Sequence, residues 1–294
     1  MNFKSISYYL GLFCFPICIL AFINILYSSY FDYFLSINSY FITLVLSFSI
    51  GSVLLFLSKQ SKKRINFIEQ LTLIILVYVL TSFFIAVPFY LSNYQVTFIN
   101  SLFEAISGVT GTGFSIFDNI KYLDPTLILW RSSSQWIGGF YFLIFLILIF
   151  SNKQFNYKMN ELSYSGDGSI NSENNIKDLL FRIFILYSVL SFIIFLLLNL
   201  SDIRMFNSLN LSMSLISAGG FIPTNSLDKI IQSNPQKLVL ILSLLISLLN
   251  FFLILNIFEK KIIIRDHKED LYLLILSLIF ILPVYFNNYS GLNI

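Results

Sequence analysis

Between residues 101 and 117 the chain reads SLFEAISGVTGTGFSIF, which sets one carboxylate, Glu104, and the turn Thr110, Gly111, Thr112, Gly113 among long apolar runs. No catalytic histidine, paired carboxylates or nucleophile with a base accompanies it in the apolar segments, so an enzyme is a poor fit. What the stretch can offer is oxygen. Glycine reaches the φ values that let successive carbonyls face one axis, and a ring of such carbonyls can replace the hydration shell of an ion. A short helix over about Phe98 to Gly108 would aim the negative end of its dipole at the same place, which favours a monovalent cation. The following turn would then run extended, and Thr110 and Thr112 could add hydroxyl oxygens.

The stretch has a second copy. SLFEAISGVTGTGF from Ser101 lies over SLNLSMSLISAGGF from Ser208 at a constant offset of 107, with Ser101, Leu102, Ser107, Gly113 and Phe114 identical to Ser208, Leu209, Ser214, Gly220 and Phe221. Val109 with Ile216, Thr110 with Ser217 and Gly111 with Ala218 are close replacements. The simpler account, that Gly108, Gly111 and Gly113 only allow close helix packing, leaves the matching turn Ser217, Ala218, Gly219, Gly220 unexplained. Each copy lies between two long apolar runs, so the unit is helix, re-entrant hairpin, helix, repeated in parallel.

Composition says what must position these turns. Of 294 residues 57% are hydrophobic and 11% charged, against about 25% charged in soluble domains, which makes this an integral membrane protein. Spans need roughly 20 apolar residues, and seven runs qualify or nearly so: Ile6 to Tyr27, Tyr40 to Leu57, Leu71 to Tyr90, Leu127 to Phe150, Leu179 to Leu198, Leu238 to Phe258 and Leu271 to Phe286. Each is expected to be helical, because backbone facing lipid must satisfy its own hydrogen bonds. The first follows Lys4 and is read as a retained anchor, being too long for a signal h-region.

Basic residues set the orientation. Lys4, Lys59, Lys62, Lys63, Arg64, Lys153, Lys158, Lys177, Arg182, Lys260, Lys261, Arg265 and Lys268 occupy alternate connections and are 13 of the 18 basic residues. The N-terminus is therefore expected in the cytoplasm. The net charge of +3 reports this topology, and no basic patch interleaved with aromatics suggests nucleic acid. The connections from Leu91 to Thr126 and from Asn199 to Lys237, which hold the two turns, fall outside. Ser151 to Asp178 is a polar cytoplasmic linker whose GDG at 166 to 168 marks a turn.

Other candidates for chemistry are weaker. Cys14 and Cys18 stand four apart in the first span, a spacing that suits small apolar residues on one helix face better than a disulfide or a metal site. His267, in RDHKED, reads as a solvated loop residue, and no transition-metal site is expected. Glu104 and Arg131 are ionisable residues near membrane depth, which directs attention to function. They are expected to pair or to bond backbone ends and so brace the hairpin against the following span; direct ion binding by Glu104 is the alternative. Gly138 and Gly139 are expected to allow a close helix crossing.

The segments FEAISGVTGTGF, LWRSSSQWIGG at 129 to 139 and SLISAGGF closely resemble the Trk/Ktr/HKT superfamily of potassium transporters, the Trk (TrkH-type) membrane subunit most of all. That resemblance implies four helix-pore-helix units around one pore. The K+ selectivity filter would include Thr110, Gly111, Thr112 and Gly113 in unit one and Ser217, Ala218, Gly219 and Gly220 in unit two, with Gly113 and Gly220 central. The implied organisation is two N-terminal helices (1–64), a first unit (65–152), the linker (153–178), a second unit (179–260) and the first helix of an incomplete third (261–294). Function would be potassium, or potassium and sodium, uptake across the bacterial cytoplasmic (inner) membrane, with no covalent cofactor. Family members associate as dimers with a cytoplasmic ring of nucleotide-binding, TrkA-like subunits.

Units three and four do not follow in this sequence, and two strands cannot encircle an ion. The expectation is the N-terminal half of a split or truncated gene; next come assembly with a chain carrying the missing units, and pairing of two copies as a homodimer. The alternative function is a non-conducting fragment or membrane scaffold. The downstream DNA offers a direct check: a frame continuing into two more glycine-turn hairpins is expected, and its absence throughout the genome would count against the four-unit account.

Overall fold

Apolar helices close their own backbone hydrogen bonds, and the computed structural model is built of them. It describes residues 3–33, 37–58, 65–150 and 173–248, with the isolated helical positions Tyr272, Ile275, Leu276 and Ile279; among these there are helices and turns and no strand. The elements are α1 (Phe3–Tyr30), α2 (Ile37–Leu57), α3 (Phe67–Tyr90), α4 (Phe98–Val109), α5 (Pro125–Phe150), α6 (Glu173–Leu200), α7 (Met205–Ile216) and α8 (Asn234–Leu248), with 3-10 turns at Ile120–Tyr122 and Leu227–Lys229. Outside the described residues lie His267, the GDG turn, Lys59, Lys62, Lys63, Arg64, Lys153, Lys158, Lys260, Lys261, Arg265 and Lys268, most of the linker, the second half of the sixth apolar run and nearly all of the seventh.

Among the described residues, four stretches are long and apolar enough to cross a membrane: Phe3–Tyr30, Ile37–Leu57, Phe67–Tyr90 and Leu180–Leu200. Helix α5, the fourth expected span, is different in character. Residues 126 to 135 are buried without interruption, so Arg131, Ser132, Ser133, Ser134 and Gln135 face protein. Helix α6 begins at Glu173, ahead of its apolar run at Leu179.

The ends of these helices follow local chemistry. Glu69 reaches back to accept from the Asn66 backbone N–H at 2.9 Å, a carboxylate placed where orphan donors and the positive dipole end favour it. Pro125 starts α5 at a position where its missing N–H costs nothing, and Tyr94 fixes that start by donating to the Tyr122 carbonyl and accepting from the Asp124 N–H. Gln236 accepts from the N–H groups of Gln232 and Ser233 at the start of α8, while its amide donates to the Ser201 carbonyl at the end of α6.

Helix α5 is the hub. Tyr141 donates to the Phe13 carbonyl of α1 at 2.6 Å, and the Trp130 indole donates to the Ile85 carbonyl of α3 at 3.0 Å. Trp136 donates to the Ser191 hydroxyl of α6, and Tyr187 of α6 donates to the Trp136 carbonyl. Helices α1 and α2 cross where Gly11 meets Gly51: a Cβ on Gly11 would lie 3.0 Å from the Gly51 carbonyl oxygen. Cys14 is buried beside that crossing, Cys18 Sγ lies 3.1 Å from Ser47 Oγ, and both thiols are free.

Two crossings differ in what a methyl group would strike. At Gly51 a Cβ would lie 3.0 Å from Cys14 Cβ and 3.2 Å from the Gly11 carbonyl oxygen, whereas at Gly138 it would run into the backbone of Val109 in α4. The first contact is relieved by a small shift and the second only by moving a helix, and overpacking costs about 1–3 kcal/mol or more. Gly138→Ala should therefore lower unfolding resistance in detergent by more than about 2 kcal/mol, with Gly51→Ala well below it. Equal effects in an SDS titration would contradict this packing.

Candidate functional site

The repeat holds in three dimensions at the same offset of 107. Helix Phe98–Val109 corresponds to Met205–Ile216, and the 3-10 turn Ile120–Tyr122 to Leu227–Lys229. Gln95 and Asp202, also 107 apart, both take positive φ, 53° and 65°, in the turns that lead into α4 and α7. Two bonds of the C-terminal turns also match at this offset. Gly111 N donates to Gly108 O and Thr112 N to Ser107 O; Ala218 N donates to Leu215 O and Gly219 N to Ser214 O. Such bonds pair the carbonyls that a helix end leaves orphaned.

This capping corrects the expectation of a fully extended turn. Thr110 N still donates to Ile106 O, and Thr110 and Gly111 finish the helix, so only from Thr112 onward does the chain leave it. Gly111 supplies the left-handed conformation at φ 69°, and Ala218 adopts it at φ 52° although it carries a Cβ. Outside glycine that region costs about 1 kcal/mol or more.

The two candidate central glycines meet. Gly113 has φ 80°, and a Cβ there would lie 2.5 Å from Gly220 Cα and 2.7 Å from Gly220 N. A side chain at Gly113 is therefore opposed twice, by conformation and by the facing backbone. At Gly220 the nearest obstacle is Gly113 Cα at 3.2 Å. Gly111 also faces unit two, its Cβ position 3.6 Å from the Ser217 carbonyl oxygen. Thr110, Thr112, Ala218 and Gly220 are exposed on the surface these turns share. The Thr110 and Thr112 hydroxyls bond each other at 2.6 Å, and the Gly219 carbonyl accepts from Ser214 at 3.1 Å.

Behind the turns lies a charged brace. Arg131 Nε donates to Glu104 Oε1 at 2.7 Å, and the two side chains are 1% and 0% exposed. Glu104 also accepts from Ser115 Oγ and, through its other oxygen, from the Ile116 N–H at 2.9 Å. Arg131 Nη2 donates to Ser115 Oγ at 3.0 Å. The pair thus ties α4, the return segment and α5 into one knot. The guanidinium reaches unit two as well, 4.3 Å from the centre of the Phe221 ring and 5.8 Å from that of Phe117, within cation–π range.

Sequence reasoning missed Gln135 and Asn225 as members of this site, while Gly108 and Gly139 were expected as packing positions. Gln135 is fully buried and accepts from the Phe221 N–H. Gly108 presses on Ser134, and Gly139 on Ser217 and Tyr187. Asn225 accepts from Lys121 N and donates to Asn119 Oδ1, clasping the two return segments together. Gln135 had a legible signal, a polar residue inside an apolar run; the Asn225 clasp had none, since its partners lie more than a hundred positions away. No group of three or more metal-ligating residues occurs among the described residues.

The brace has no counterpart in unit two, where Leu211 and Leu238 stand 107 positions after Glu104 and Arg131. Removing one partner of a buried pair strands the other charge, at about 3–5 kcal/mol, whereas replacing both with apolar residues is often near neutral. Arg131→Leu should thus destabilise strongly, and Glu104→Leu with Arg131→Leu should recover most of the loss, as read by SDS unfolding in a double-mutant cycle. Additive losses would show that the two do not act as a pair.

Residues 36–284 match the family described as TrkH, cation transport protein. The chain is 26% identical over 248 residues to the Trk system potassium uptake protein TrkG of Escherichia coli, covering 82% of this chain and 51% of that protein. It is 30% identical over 178 residues to an uncharacterized cation transporter of Methanocaldococcus jannaschii, covering 59% of this chain and 37% of the other. Its fold matches the crystal structure of the potassium transporter TrkH from Vibrio parahaemolyticus with a TM-score of 0.70 at 19% identity, over 88% of this chain and 53% of that one. The chain spans about half the length of TrkG and of that transporter, and less of the archaeal relative. A match through both turns, the brace and the hub helix makes this integral membrane chain a member of the TrkH family of cation transport proteins.

Proposed function

We propose that the chain contributes two of the four filter strands of a potassium uptake pathway. The observation that carries this is the approach of Gly113 to Gly220, just beyond the C-terminal ends of two short helices of identical length. In this reading α4 and α7 are re-entrant pore helices whose C-terminal dipole ends favour a cation, and the chain crosses the bilayer seven times. Carbonyls of Thr110, Gly111, Thr112, Gly113, Ser217, Ala218, Gly219 and Gly220 replace water around K+, or Na+, while Glu104 and Arg131 support them. The segments act as two leading helices to residue 64, units over 65–152 and 179–260 joined by 153–178, and the start of a third from 261.

Two strands leave half of the carbonyl ring open, so conduction requires further units, from the rest of a longer protein, a complementing chain or a second copy. By the distribution of lysine and arginine the N-terminus is cytoplasmic, in a bacterial inner membrane, where a cytoplasmic nucleotide-binding subunit could dock on the basic loops. The exposure of Thr112 and Gly220 fits a surface that other strands complete. It also fits the second reading, a scaffold that conducts nothing without its complement.

The test is growth rescue of a strain lacking potassium uptake, with the missing units co-expressed. Rescue is expected, together with a roughly tenfold loss of K+ over Na+ discrimination, about 1.4 kcal/mol, on Gly220→Ser. Gly113→Ser is the poorer probe, because its backbone geometry predicts misfolding. Absence of flux with the units supplied, or discrimination untouched by Gly220→Ser, would sink the reading.

A further inference from the structure

We propose that Gln135 is the positioning residue of the second strand, so that a helix of unit one sets the geometry of the turn in unit two. The proposal rests on the reading of Gly220 as a filter residue and deepens it.

Gln135 is fully buried in α5, and its Oε1 accepts from the Phe221 backbone N–H at 3.2 Å. Its amide group fills the space in front of Gly219, where a Cβ would come within 2.5 Å of Oε1. One helical turn earlier on the same face, Arg131 holds the Phe221 ring at 4.3 Å. Residue 221 is therefore gripped by its backbone and by its side chain from a single stretch of α5. The same Arg131 binds Glu104 and Ser115, so both strands take their position from one helix face.

The two strands differ in who holds them. In unit one Ser107 donates to the Phe114 carbonyl at 2.6 Å, a bond within the unit. The matching Ser214 donates instead to the Gly219 carbonyl, and residue 221, the equivalent of Phe114, is held through its N–H by Gln135 of the other unit. Gln135 Nε2 has no hydrogen-bond partner among the described residues. A buried amide donor left unpaired is destabilising, and leucine or methionine would fill the same space without that cost. The acceptor function toward Phe221 is what glutamine adds.

Hydrogen exchange on the purified full chain in detergent decides the matter without any flux. In Gln135→Met the Phe221 amide, read in peptides covering 217 to 223, should exchange about tenfold faster, as loss of one buried hydrogen bond implies, while α7 at 205 to 216 keeps its protection. Gln135→Glu, which preserves the acceptor, should retain the slow exchange and serves as the control for packing. Unchanged exchange in Gln135→Met overturns the proposal, and so does equal loss in Gln135→Glu. In the complemented strain, Gln135→Met should lower K+ over Na+ discrimination at unchanged protein abundance; intact discrimination overturns the link to specificity. Failure of the unmutated chain to transport would count against the proposed function alone, with the exchange data still deciding the role of Gln135.

Discussion

Backbone that stops being helical inside a membrane protein has no water to bond, and each unpaired group there costs several kcal/mol. The structure around α4 and α7 answers that one constraint. Each short helix ends in bonds that turn its last carbonyls to use, and the chain beyond is met by protein: Glu104 takes the Ile116 N–H, Ser107 takes the Phe114 carbonyl, and Gln135 takes the Phe221 N–H. Irregular backbone persists here because these partners meet it.

Glu104 and Ser107 stand on α4 and Gln135 on α5, and α5, which touches both turns, departs from an ordinary lipid-facing span. Its WRSSSQWIGG run assigns nearly every residue to a different neighbour. Trp130 faces α3, Arg131 faces α4 and Phe221, Ser134 lies under Gly108, Gln135 holds unit two, Trp136 meets α6, and Gly138 and Gly139 admit Val109 and Ser217. Residues 126 to 135 are buried on all sides, so their polarity costs little in lipid exposure and repays itself in bonds to the turns.

Repetition and asymmetry coexist in this arrangement. The boundaries of the short helices and two of their capping bonds repeat at an offset of 107, yet the ion pair belongs to unit one, and α7 has Leu211 where α4 has Glu104. The helix-and-turn geometry thus does not depend on the charges. The charges fasten the return segment of unit one and reach across to Phe221, which makes the relation between the strands, more than the shape of either, the product of the brace. Family membership places this arrangement among cation transport proteins, and the facing of Gly113 and Gly220 gives it a physical focus.

Much of this was legible in the residues. Local rules determined the long helices, since apolar length and the absence of water leave helix as the only economical backbone. They also pointed to the two short helices and to the approximate limits of the first, because the repeat compared the chain with itself and the glycine and hydroxyl residues marked where helix must end. The charge of Glu104 and Arg131 showed that something buried had to be paired, without naming every partner. What only the tertiary structure decided is the set of long-range meetings: Gly113 against Gly220, Gln135 against the backbone of Phe221, and Asn225 across to Asn119 and Lys121. It also decided that Thr110 and Gly111 close the helix and leave the extended path to begin at Thr112. Those outcomes depend on how helices distant in sequence pack side by side, and one-dimensional spacing carries no record of which faces will touch.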